Sequence, residues 1–181
     1  MSAKLELEAA RHQLGLTSGV DLVKVAEASI LAGSESESLV LLAGEVDPIM
    51  SDAAPLFERG LRDLHIDVPD TGTACWVVLR HHIERIASND VNPREGVQAI
   101  LNEVYYPGGL DEMTDEFMGD SHDIHHMFGY YFGIDDIMER PDEVSCDGKF
   151  GAEGIAAVEA RIRGLAIKWL TDHRIQQGDL D

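Results

Sequence analysis

The stretch TACWVVLRHHIERIA, residues 73–87, decides the fold. Its first half contains CWVVL, the one run in the chain that resembles a β-strand. Its neighbours continue at helical period, with Leu79, Ile83 and Ile86 three and four residues apart. The segment therefore reads as a helix, started at Asp70 just after Pro69. With it assigned, no alternating pattern and no Asn-Gly hairpin turn remains. The expected fold is all-α: a single helical domain over residues 1–181, with roughly seven to nine helices joined by short loops.

Helix punctuation supports this reading along the chain. Ser18-Gly-Val-Asp21 precedes LVKVAEASILA as cap and acidic first turn, and Gly33 stops it. Ser34-Glu-Ser-Glu37 reads as a capping box for SLVLLA, stopped at Gly44. Asp47-Pro48 opens the next segment with Pro at the first helical position, and Pro55 is expected to divide it. Asn92-Pro93-Arg94-Glu95 is the strongest start signal, and Tyr106-Pro107-Gly108-Gly109 ends that helix. A short acidic helix is expected from about Asp111 to Met118, followed by a histidine-rich segment and a loop near PDEVSCDGKFG. The last helix is expected from about Ala152 to His173, with Ile155, Val158, Ile162, Leu165, Ala166 and Trp169 on one face.

Composition narrows the function classes. A hydrophobic fraction of 44% is too high for a chain disordered as a whole. The charge balance is extreme: 14 Lys plus Arg against 34 Asp plus Glu, a formal net charge of -20. No Lys or Arg lies between Lys24 and Arg59, or between Arg94 and Arg140. Nucleic acid and anionic lipid both need a basic surface, so neither is an expected partner. The acid excess reads either as solubility by net charge or as a surface built to meet a basic protein, where complementary potential speeds association. No run is apolar enough for a membrane span, and the first residues, MSAKLELEAARHQ, do not resemble a signal peptide. The expectation is a cytoplasmic protein in which Cys75 and Cys146 stay reduced.

Three pieces, LVLLAGE, LFERGLRDLHIDVP and HHIERIASNDVNPREGVQAI, follow one another within residues 38–105. Together they resemble a loosely defined group of small bacterial proteins with an Ile-x-x-Gly-x-x-x-Pro-x-Glu-Gly turn into a helix. A Trp-Leu pair near the C-terminus, as in Ile167-Lys-Trp-Leu170, is also similar. Asn89 stands here where that group usually has Gly. The resemblance implies a helical protein and carries no activity.

Chemistry concentrates in GDSHDIHHMFGYYF, residues 119–132. A helical projection places Phe117, Ile124, Phe128 and Tyr131 on one face. It sets His122 and His126 on the opposite ridge, at about 140° and about 180° from Phe117. Asp120 and Asp123 then read as cap and first-turn acid of a helix, and the histidines as its solvent side. The alternative is a divalent-metal site of His122, Asp123 and His126, since two His four apart on a helix can reach one ion. Gly129 and Gly133 continue the same ridge and would admit a close neighbour.

The His-Asp phosphohydrolases offer a more specific pattern, and RHHIERIA is similar to their first motif. The resemblance implies His81 or His82, then His122-Asp123, then Asp172 as metal ligands. The residues around His122-Asp123 depart from that family: Phe-Met-Gly-Asp-Ser precedes the pair, and His125-His126 stands where Gly-Lys or Gly-His is usual. His82, at the edge of the Leu79, Ile83 and Ile86 face, reads as a partly buried, satisfied histidine, and His12, His65 and His173 as isolated. The aromatic set Tyr105, Tyr106, Phe117, Phe128, Tyr130, Tyr131 and Phe132 reads as core, with a partner or ligand groove lined by Tyr130 and its neighbours as the alternative.

With no complete catalytic set, the leading expectation is a non-catalytic protein-binding domain without a cofactor. It would be immunity- or antitoxin-like and directed at a basic partner. The alternatives are the metal-dependent hydrolase and a structural or assembly protein.

Overall fold

The computed structural model describes residues 2–107 and 122–173. The fold is all-α, and the chain forms two compact units, Met1–Val78 and Leu79–Asp181, divided within one continuous helix. The described helices are α1 (Ser2–Gln13), α2 (Gly19–Leu31), α3 (Glu37–Ala43), α4 (Met50–Asp63), α5 (Thr71–Ala87), α6 (Pro93–Ile100), α7 (His125–Glu139) and α8 (Gly151–Asp172). The strand-like CWVVL lies inside α5, where Ala74, Cys75, Val78 and Leu79 are buried at helical spacing.

In the first unit, α1 packs on α2, and α2, α3 and α4 pack on one another. Leu5, Ala9, Leu22, Ala26, Leu39, Leu42, Ala53, Phe57 and Leu61 form its core. The start of α2 follows the expectation: Ser18 Oγ accepts from the Asp21 N–H, and Asp21 accepts in return from the Ser18 N–H. The Ser18 hydroxyl also donates to the Asp21 carboxylate at 2.6 Å, and this bond, together with the one from the Ser18 N–H, holds the carboxyl below the usual carboxylate range.

Three boundaries differ from expectation. The cap of α3 is Ser36, not Ser34: Ser36 Oγ accepts from the Leu39 N–H and donates to Asp63. The Ser34 N–H is already committed to Ser29 O at the end of α2. Helix α4 starts at Met50, two residues after Pro48. The close approach of Pro48 to Gly19 explains this, because a Cβ built on Gly19 would lie 2.3 Å from Pro48 O. Pro55 does not divide α4. It removes one backbone donor early in the helix, while buried Ala53, Phe57 and Leu61 hold both sides of it to the core. Gly60 lets α4 approach α3, since a Cβ there would fall 2.5 Å from Leu39 Cδ2.

Helices α4 and α5 end on the same device. The N–H groups of Asn89 and Asp90 return to Ile86 O and Arg85 O, and those of His65 and Ile66 to Arg62 O and Leu61 O. Each motif needs a left-handed residue, and here these are Asn89 (φ 65°) and His65 (φ 57°). The position where Gly was expected from resemblance is therefore one that Gly would suit, and Asn is the side chain that tolerates it best.

In the second unit, α7 packs on α8, and α6 packs on both. Asn92 caps α6 through the Arg94 N–H, and Pro93 opens it. A π-helical turn, Leu101–Tyr105, extends α6 to Tyr106-Pro107. On α8, Val158, Ile162, Ala166 and Trp169 of the expected face are buried, with Ile155 and Leu165 at its edge.

The loop near PDEVSCDGKFG is a small hairpin instead. Its strands β1 (Ser145–Cys146) and β2 (Lys149–Phe150) pair antiparallel. Its turn residues Asp147 and Gly148 both have positive φ, 53° and 73°. Asp-Gly is as good a signal for this turn as Asn-Gly. Arg161 clamps the hairpin to α8 with two hydrogen bonds to Asp147, at 3.1 and 2.8 Å. Among the described residues, no helix is long and apolar enough to cross a membrane. The expected acidic helix at Asp111–Met118, and Phe117, Gly119 and Asp120, lie outside the described residues.

Candidate functional site

Helix α7 begins at His125, so the projection from Phe117 does not carry through the histidine segment. His122 and Asp123 lie in a turn before it, where Asp123 takes the left-handed conformation (φ 56°) and breaks helical continuity. The expected solvent ridge is thereby corrected. His122 is 0% exposed, while His126 sits exposed on α7.

His122 is held from two sides. Its Nδ1 is 3.2 Å from Tyr105 Oη, and the two rings meet edge to face. Its carbonyl accepts a 2.6 Å hydrogen bond from the indole N–H of Trp169 on α8. Tyr105 in turn packs edge-on against Phe128, with centroids 5.0 Å apart. The π-helical turn, the segment before α7 and the end of α8 thus meet at one buried imidazole.

An open cleft of about 290 Å³ lies beside this turn, lined by Asp123, His125, His126, Leu165, Lys168, Trp169, Asp172 and His173. His173, expected to be isolated, stacks on Trp169 at 4.1 Å and stands 3.6 Å from Asp123 Oδ2. His125 and His126 lie ring to ring at 3.9 Å. Lys168 pairs with Asp172 at 3.6 Å. The tertiary fold therefore joins Asp123, His126 and Asp172, three of the residues singled out in the sequence. It adds His125 and His173 to them, and it places His122 underneath.

His82 belongs elsewhere: it is buried, with its Nε2 3.0 Å from Glu103 Oε2. Neither His81 nor His82 lines the cleft. Among the described residues, no group of three His, Cys, Asp or Glu side chains is arranged to hold a metal ion. His12 is not isolated either, lying 3.3 Å from Glu58 and edge-on to Phe57. Within the aromatic set, Tyr105 and Phe128 are core, Tyr131 hydrogen-bonds Gln98, and Tyr106 and Phe132 are exposed. Burial raises the pKa of the Cys75 thiol, as expected of an inert core cysteine.

Burial holds the His122 imidazole below its ordinary pKa. The Asp123 carboxylate opposes this and His173 adds to it. His122 therefore takes up a proton less readily folded than unfolded. Its contribution to stability is complete above the ordinary imidazole range and is lost as pH falls below it. The stability difference between wild type and His122→Asn, measured by urea unfolding, is expected to shrink between about pH 7.5 and about pH 5.5. A difference that stays constant would mean that His122 titrates as an exposed histidine.

Gly129 and Gly133 continue the outer side of α7. A Cβ on either would meet nothing within 4 Å among the described residues. Replacing each with Ala is expected to stabilise the protein by about 0.5–1 kcal/mol through helix propensity. Destabilisation in a thermal melt would instead show that something packs on this ridge.

No family model, curated protein or solved structure matches the chain.

Proposed function

We propose that the protein is a non-catalytic binding module for a basic protein, of the immunity or antitoxin kind. The observation that carries this reading is the placement of acid in the first unit. Glu27, Glu35, Glu37, Glu45, Asp47 and Asp52 are all exposed on α2, α3, α4 and their connections, in a stretch without one Lys or Arg. A run of exposed carboxylates with no cation in the same stretch of chain favours a partner of opposite charge over nucleic acid or anionic lipid. The test is affinity capture from native lysate followed by a salt titration of each recovered complex. The expected partner is more basic than the lysate average and dissociates as salt screens the interaction. Recovered partners of average charge, whose binding ignores salt, would refute the reading.

A further inference from the structure

Helix α3, ESLVLLA, is apolar on both of its sides. Leu39 and Leu42 are buried in the core of the first unit, whereas Val40 and Leu41 are each 54% exposed. A helix that is apolar all round is normally buried all round. The chain that follows continues the exposure, with Val46 88%, Ile49 59% and Met50 37% exposed. Single exposed apolar side chains are ordinary, but five within the eleven residues 40–50 is a concentration that calls for an occupant.

The rim of the patch says which occupant. Glu37 shares the outward ridge of α3 with Val40, Leu41 and Gly44, at the three- and four-residue spacing of one helix face. Glu45, Asp47 and Asp52 interleave with the apolar side chains, and all four carboxylates are exposed. A second copy of this chain would bring identical carboxylates together, and an anionic membrane would be repelled. An amphipathic helix with an apolar stripe flanked by Lys or Arg satisfies both parts of the surface: its stripe covers Val40, Leu41, Val46, Ile49 and Met50, and its cations meet the rim.

We propose that this face of α3 and the α3–α4 connection docks a basic amphipathic helix of a partner protein. This rests on the protein-binding reading above and deepens it by naming the surface and the partner's form.

The test uses the full chain and a synthetic helical peptide with leucines on one face and lysines on the other. Two control peptides accompany it: a scrambled one of the same composition, and an amphipathic one with glutamates in place of lysines. The leucine–lysine peptide is expected to bind and to shift amide resonances of residues 37–52. V40S/L41S, on exposed positions that leave the core intact, should weaken binding about tenfold or more, as loss of two anchor contacts does. E37Q/E45Q/D47N should weaken it and flatten its salt dependence.

Binding unchanged by V40S/L41S, or equal for the scrambled peptide, would overturn the proposal. So would a dimer in sedimentation that V40S/L41S dissociates, since the face would then belong to a second copy. Should V40S/L41S misfold by circular dichroism, Ile49→Ser and the amide shifts decide in its place. If a basic partner is captured whose affinity V40S/L41S does not alter, the docking face is wrong and the protein-binding reading stands. If the peptide binds as described but captured partners are not basic, the face stands and that reading falls.

Discussion

His122→Ala is expected to lower the free energy of unfolding by about 3 kcal/mol at neutral pH, the range for emptying a large buried site. The substitution removes a ring that is wholly inaccessible and that meets Tyr105 edge to face. It also removes the hydrogen bond between Nδ1 and the Tyr105 hydroxyl, and a buried hydrogen bond lost adds to the cost of the emptied space. His126→Ala, four residues on, is expected to change stability by no more than about 0.5 kcal/mol, as at other exposed positions. Urea unfolding of the two variants side by side checks both. Equal effects would mean that the two histidines share one environment, as an unbroken helix through both of them requires. The same pair addresses metal: untagged protein is expected to hold negligible Zn, Mn or Fe by elemental analysis. Stoichiometric metal that His126→Ala abolishes would revive the site of His122, Asp123 and His126.

Gly19→Ala carries the second large effect. Its Cβ would meet Pro48 O at 2.3 Å and Pro48 C at 2.8 Å, both backbone atoms that no rotamer change can move aside. Either α2 or the segment leading into α4 must shift, and overpacking of this kind costs about 3 kcal/mol. Gly60→Ala is a useful comparison, because its nearest contacts are Leu39 side-chain carbons at 2.5 and 2.6 Å, which have some freedom to turn. A thermal melt is expected to rank Gly19→Ala below Gly60→Ala, and both below wild type. A Gly19→Ala protein as stable as wild type would contradict the packing of Pro48 against α2.

Much of the fold was legible because helix signals are local. The Ser18–Asp21 box, Asp70, the Asn92-Pro93 start and the long face of α8 depend on residues within one or two turns of one another. The errors came where a local signal competed with a distant contact. Ser34 and Ser36 are both plausible caps, and the turn that closes α2 commits Ser34. The pairing of Asp47 with Pro48 looked like a helix start, but Pro48 is placed by its contact with Gly19. The Asp147-Gly148 hairpin is a different case: Asp-Gly is itself a local turn signal, but strands of two residues are too short to show alternation.

By itself the sequence determined the all-α class, the starts of α2, α5, α6 and α8, and the concentration of acid without cations over residues 25–58. These follow from composition, from side-chain periodicity and from hydrogen bonds that close within a few residues. Only the tertiary structure decided the histidine segment. The left-handed Asp123 starts the register of α7 afresh at His125, and Tyr105 and Trp169, from distant elements, enclose His122. The end of α8 then brings Lys168, Asp172 and His173 to the same cleft. A periodicity taken from one segment assumes an unbroken helix, and it carries no information about which other helix covers the face it defines.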